Sequence, residues 1–162
     1  MNKNNFTIFS DASFCMHTKV AGYAYWARDS VLKFQGARSD TNVTKSSDAE
    51  IFAVVWAIYS ISKKIDLTKR HVIIVTDALC AKIFLESSSL GEGRLKEAKK
   101  SLLELKNGLN FSLQINHVKG HSYSWNKSER NWVNDFCDRK AKEQMRTLRD
   151  RILKSSGPLA QR

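Results

Sequence analysis

One proline, three scattered cysteines and no apolar run of eighteen residues are the absences that first bound this 162-residue chain. Without such a run, no segment is suited to crossing a bilayer as a helix. The opening MNKNNFTIFS lacks the long apolar stretch and small-residue cleavage site of a secretory signal, so a cytoplasmic location and no membrane partner are expected. Cys15, Cys80 and Cys137 are widely spread and form no CxxC pair, which supports neither a disulfide framework nor a zinc site. Acidic residues are also scarce, 16 against 27 lysines and arginines, for a formal net charge of +11 at pH 7. That balance favours a polyanionic partner, nucleic acid ahead of anionic membrane. It is uneven: residues 139–162 hold eight basic side chains against Glu143 and Asp150, and so carry +6 of the total. A solvated helix face with a basic tail is the plain alternative for that run.

What is present suffices for one globular domain, since 42% of the residues are hydrophobic and the length allows a proper core. NFTIFSDASF, VAGYAYWAR and VLKFQGA have strand character, and the short connections around 15–19 and 28–30 suggest an antiparallel meander. SSDAEIFAVVWAIYSISKKI then steps Ile51, Val54, Ile58, Ile61 and Ile65 along one helix face, with Ser47 as the expected N-cap. A strand HVIIVTD follows, then a helix over 78–86, the linker SSSLGEG, a helix over 94–107 and a last strand in FSLQINHV. KGHSYSWNKSERNW has no period and reads as a loop, after which 133–153 reads as helix. Three antiparallel strands followed by alternating helices and strands imply an α/β domain whose later strands run parallel to the first. Ligands of such sheets gather beyond the carboxyl ends of the parallel strands.

Two acids fall at such ends. FTIFSDAS and VIIVTDAL are both apolar strands running into Ser/Thr-Asp-Ala, so Asp11 and Asp77 arrive at similar depth. If the strands are neighbours, two like charges must share a proton or bind a cation. Alone, Asp77 fits equally well as a cap on the following helix. Glu50 completes the capping box Ser47-Asp48-Ala49-Glu50, which taken alone is its favoured role. In WVNDFCDRKA, Asn134 is placed to cap or kink a helix start. Asp135 and Asp138 share a face there, with ion pairs to Arg139 and Lys142 as their ordinary alternative.

The order strand-Asp, helix-Glu, strand-Asp, closing-helix-Asp resembles the type 1 ribonuclease H family. FTIFSDAS, GYAYWAR, SSDAEIFAVVWAI, VIIVTDALCAKI, INHVKGHS and NDFCDRKA carry the likeness, from Phe6 to Met145. The resemblance implies a ribonuclease H-like α/β fold, a five-stranded mixed sheet in the order 3-2-1-4-5 flanked by helices. Residues 1–153 would form one catalytic domain and 154–162 a flexible basic C-terminal tail. It further implies metal-binding carboxylates at Asp11, Glu50, Asp77 and Asp138, with His121 as the loop histidine after KGH. Sites that usually contact the hybrid map to Ser13, Ser46, Ser47 and Asn134. Trp125, Lys127 and Arg130, aromatic and basic residues interleaved in the loop, suit base stacking and phosphate contact, while a loop that docks its tryptophans on the protein is the alternative. FCMHTKVAG, with only Gly22 kept, replaces the family's glycine-rich turn, serines replace the paired asparagines before the helix glutamate, and Leu79 stands where a glutamine is common.

Four oxygen donors without a His or Cys cluster favour a hard cation, Mg²⁺ with Mn²⁺ as substitute. The implied activity is hydrolysis of the RNA strand of an RNA·DNA hybrid with two ions per site, leaving 5′-phosphate and 3′-hydroxyl ends, by a monomer. A DNA nuclease of the same fold and a non-catalytic hybrid- or RNA-binding module are the alternatives.

Overall fold

A computed structural model describes residues 5–119 and 129–156, with side chains of the last segment from residue 132. Its elements, in chain order, are β1 (Asn5–Cys15), β2 (Val20–Arg28), β3 (Lys33–Asp40), α1 (Ser46–Ser62), β4 (His71–Thr76), α2 (Leu79–Glu86), α3 (Gly93–Leu109), β5 (Ser112–His117) and α4 (Glu129–Ser155). The sheet order is β3-β2-β1-β4-β5. β1–β2 and β2–β3 pair antiparallel, whereas β1–β4 and β4–β5 pair parallel. This is the fold the resemblance implied.

Period-two alternation explains how both sheet faces are filled. Phe6 and Ile8 of β1, Tyr25 of β2, and Val72 and Ile74 of β4 bury one face against Ile51, Val54, Ile58 and Ile61 of α1. Phe9, Ala24 and Val75 look the other way, onto Val133, Cys137 and Ala141 of α4. A strand covered on both sides reads as an unbroken apolar run, which is why HVIIV stands out in the sequence. The α4 contact is unusually close at Gly22: a Cβ there would overlap the Ala141 carbonyl oxygen and crowd the Met145 amide.

Several expectations about helix ends are corrected. α1 starts two residues early, its N-cap is Lys45 with no side-chain cap hydrogen bond, and so Ser47 is helical and the capping box does not form. Asp77 does not cap α2 either; that helix has Ala78 as N-cap, and the Ala78 amide instead donates to Thr76 Oγ1 at 3.1 Å. α4 begins four residues before Val133, so Asn134 lies inside the helix rather than at its start. α4 also runs on to Ser155, into the segment expected to be tail.

Lys99 of α3 is a buried cation that the sequence does not announce. Its ammonium donates to the carbonyls of Phe84, Ser87 and Ser89, each at 2.6 Å, and so gathers acceptors at and just after the end of α2. Desolvation holds its pKa below that of an ordinary lysine.

Candidate active site

The parallel register places the first two acids side by side. Phe9 of β1 is level with Val75 of β4, so Asp11 and Asp77, each two residues on, reach the same height at the carboxyl end of the sheet. Glu50 enters from the second turn of α1, the helix lying over the same strands. One carboxylate oxygen from each of Asp11, Glu50 and Asp77 lies within 4.8 Å of the others. Asp138 comes from α4, where the adjacent Cys137 packs on Phe9. Its Oδ2 accepts from Lys142 Nζ at 2.8 Å, the i,i+4 pair the sequence allowed. The corresponding pair between Asp135 and Arg139 is not formed among the described residues; Arg139 lies over the Phe136 ring instead.

The local electrostatics are those of an uncompensated acid cluster. Burial, then the charges of Asp77 and Asp138, push the Asp11 carboxyl up to about 7. Its Oδ1 accepts from the Ala12 amide at 2.8 Å, which offsets only part of this. Burial, then Asp11 and Asp77, push Glu50 to about 9. Glu50 Oε2 is moreover buried without a hydrogen-bond partner among the described residues. A buried carboxylate oxygen in that position is costly unless it holds a proton or meets a cation. Three converging carboxylates, one of them with a buried oxygen left bare, therefore fit a hard divalent metal.

The other expected residues are distributed around this centre. Ser13 follows Asp11 along β1 and lies opposite Gly22 of β2, half-buried. Ser46 and Ser47 are the first two residues of α1, Ser46 exposed and Ser47 half-buried. Leu79 opens α2 and is exposed, an apolar side chain close in sequence to the acids. Asn134 is half-buried in α4, one turn before Asp138. Trp132 is exposed and stacks on Phe136, with ring centroids 5.8 Å apart. His121, Trp125, Lys127 and the Arg130 side chain lie outside the described residues.

One contact at the centre was not anticipated. The His117 ring places Nε2 at 3.1 Å from the Asp77 carbonyl oxygen, so the last residue of β5 braces the turn that carries Asp77. The available signal was weak: a polar residue ending the strand next to the one that delivers an acid.

Solved structures share the architecture. An RNase H1 isolated from compost by a metagenomic approach superposes with a TM-score of 0.68 at 16% identity, over 90% of this chain and 98% of that one. The same LC11-RNase H1 in complex with an RNA/DNA hybrid gives 0.67 at 15% identity, over 88% and 98%. RNase H1 from the halophilic archaeon Halobacterium salinarum NRC-1 gives 0.66 at 15%, again over 88% and 98%. No curated protein matches the chain by sequence. Identities this low speak for the fold alone, but the RNase H family model matches residues 3–146, nearly the whole chain and every acid of the candidate centre, and on that match the chain belongs to the ribonuclease H family.

Proposed function

We propose that this ribonuclease H hydrolyses the RNA strand of RNA·DNA hybrids, with Asp11, Glu50, Asp77 and Asp138 holding two divalent cations, Mg²⁺ or Mn²⁺. The observation that carries the reading is Glu50, which brings a carboxylate oxygen within 4.8 Å of those of Asp11 and Asp77 while its Oε2 is buried without a hydrogen-bond partner among the described residues. Bound divalent ions supply activation of water and neutralisation of charge on the leaving 3′ oxygen. The protein's own part is positional. Asp11 and Asp77 are held at one level by the β1–β4 register, and His117 steadies the Asp77 backbone. Lys142 neutralises Asp138 and weighs against the negative charge felt at Asp11. His121, which precedes α4 in the sequence, handles the proton near the leaving group. Selection of the RNA strand rests on hydrogen bonds to 2′-hydroxyls, for which Ser13, Ser46, Ser47 and Asn134 are the candidates. That LC11-RNase H1 is seen bound to an RNA/DNA hybrid supports the same substrate class here.

The test is a panel of labelled hybrid, duplex DNA and duplex RNA, each with and without Mg²⁺. The hybrid alone should be cut, only with metal, and to 5′-phosphate products. Asp77→Asn should stay folded and lose cleavage by at least about a hundredfold, as expected for removal of charge that stabilises the transition state. Full activity in that variant, or equal cutting of duplex DNA, would sink the proposal.

A further inference from the structure

The acidic centre leaves most of the chain's positive charge unused. Asp138, Lys142, Arg146 and Arg149 follow one another along α4 at steps of four, four and three residues, which sets them on one face of the helix. Arg151 and Lys154 turn towards the opposite flank. The buried stripe Val133, Cys137, Ala141 and Met145 fixes which flank looks where. Cys137 packs on Phe9, and Ala141 and Met145 press on Gly22, which pairs with Ser13. α4 therefore runs beside β1 in the direction from Phe9 towards Cys15. At one end of the flank the Lys142 charge reaches Asp11; at the other, the Arg149 charge reaches the Cys15 thiol at the β1–β2 turn.

We propose that Arg146 and Arg149 continue from Lys142 as a rail for the sugar-phosphate backbone of the nucleic-acid substrate, gripping it between the acidic centre and the β1–β2 turn. The inference rests on the nucleic-acid reading of the acidic centre and adds where the strand runs. From Lys142 to Arg149 the helix rises about 10 Å, which matches roughly three phosphates of one strand of a duplex. The side chains are open to a partner: Lys142 keeps 43% and Arg149 34% of its accessibility, and Arg146 is exposed. Arg146 pairs with no carboxylate among the described residues, and Arg149 meets only its neighbour Asp150. Such a surface pair gives way readily to a phosphate. In this chain the turn itself, FCMHTKVAG, adds His17 and Lys19 at the far end of the rail, both exposed.

The experiment compares two double variants with the same loss of charge, Arg146→Gln/Arg149→Gln on the rail and Arg151→Gln/Lys154→Gln on the opposite flank. Binding of a labelled RNA·DNA hybrid and of duplex DNA is followed by fluorescence anisotropy in EDTA, across a salt series. Loss of two phosphate contacts should weaken binding about tenfold near 0.1 M salt and make the slope of log K against log salt shallower by about 2. The opposite-flank variant should change affinity less than about twofold, and Arg146→Lys/Arg149→Lys should restore most of the slope, since a phosphate rail needs charge more than shape. Equal losses from both flanks would reduce the effect to net charge and overturn the rail, as would an unchanged slope or no nucleic-acid binding at low salt. Failure of the hybrid reading looks different: in the Mg²⁺ cleavage panel duplex DNA would be cut as well as hybrid, while the contrast in binding between the two flanks persisted.

Discussion

Glu50 concentrates the electrostatic conflict of the metal-free protein in one side chain. Folding raises its carboxyl from 4.5 to about 9, burial first and then the charges of Asp11 and Asp77. A group whose pKa rises on folding favours the folded state while protonated, and stability falls as pH climbs through the interval between the two values. Glu50→Gln removes this penalty. In EDTA at pH 8 the variant should be more stable than the parent by several kcal/mol, a clear rise in Tm, with the difference fading near pH 5. Cleavage should be lost in the same variant. Destabilisation at pH 8 would show that Glu50 is stabilised by something other than a proton or a cation. The sequence pointed to Glu50 but on two grounds, as site acid and as capping residue. S-x-x-E is a local pattern, and whether its glutamate turns back to the helix start or outward to other acids depends on what the sheet puts beside it.

At the scale of elements, the seat of α4 on β2 sets the position of Asp138. Gly22 is the point of closest approach, with no room for a Cβ against the Ala141 carbonyl and Met145 amide. Gly22→Ala should therefore lift α4 and cost about 1–3 kcal/mol of stability by urea titration. Activity should fall further than the stability loss explains, because the displaced helix carries Asp138; a stable variant with full activity would separate Asp138 from the chemistry. Gly22 is visible in the sequence only as a glycine within a strand pattern, which signals close approach without naming what approaches. The start of α4 was harder to read. ERNW carries polar and charged residues with no apolar period, so nothing local marks it as helical, and its helicity comes from propagation back from the buried stripe beginning at Val133.

For the whole molecule, acids drawn from β1 and β4 and from α1 couple metal binding to the stability of the entire fold. Mg²⁺ or Mn²⁺ added to metal-free protein should raise Tm, by an amount equivalent to about 2.7 kcal/mol at a hundredfold excess over Kd. The shift should be larger at pH 8 than at pH 6, because the cation replaces protons held by Asp11, raised to about 7, and Glu50, raised to about 9. A shift independent of pH, measured by thermal melts across a buffer series, would place the ion elsewhere. Among the described residues no helix is long and apolar enough to cross a membrane, in keeping with the missing apolar run.

Local chemistry in the sequence determined the strands and the succession of acids: alternation of apolar residues needs only neighbours two and four positions away, and each acid follows the apolar stretch that alternation marks, Asp77 just past the end of β4 and Asp11 within β1, which runs on to Cys15. The sheet order followed from that succession through the family likeness. Tertiary structure alone decided which pairings were real. It took parallel registration of β1 with β4 to bring Asp11 level with Asp77, and the packing of α1 across them to leave Glu50 Oε2 without a partner instead of closing a capping box. Likewise a basic run in sequence became two distinct flanks only once Gly22 seated α4 against the sheet. The reason is common to all three: charge and hydrogen bonding act through space, and the distances that set them exist only after elements remote in sequence have packed.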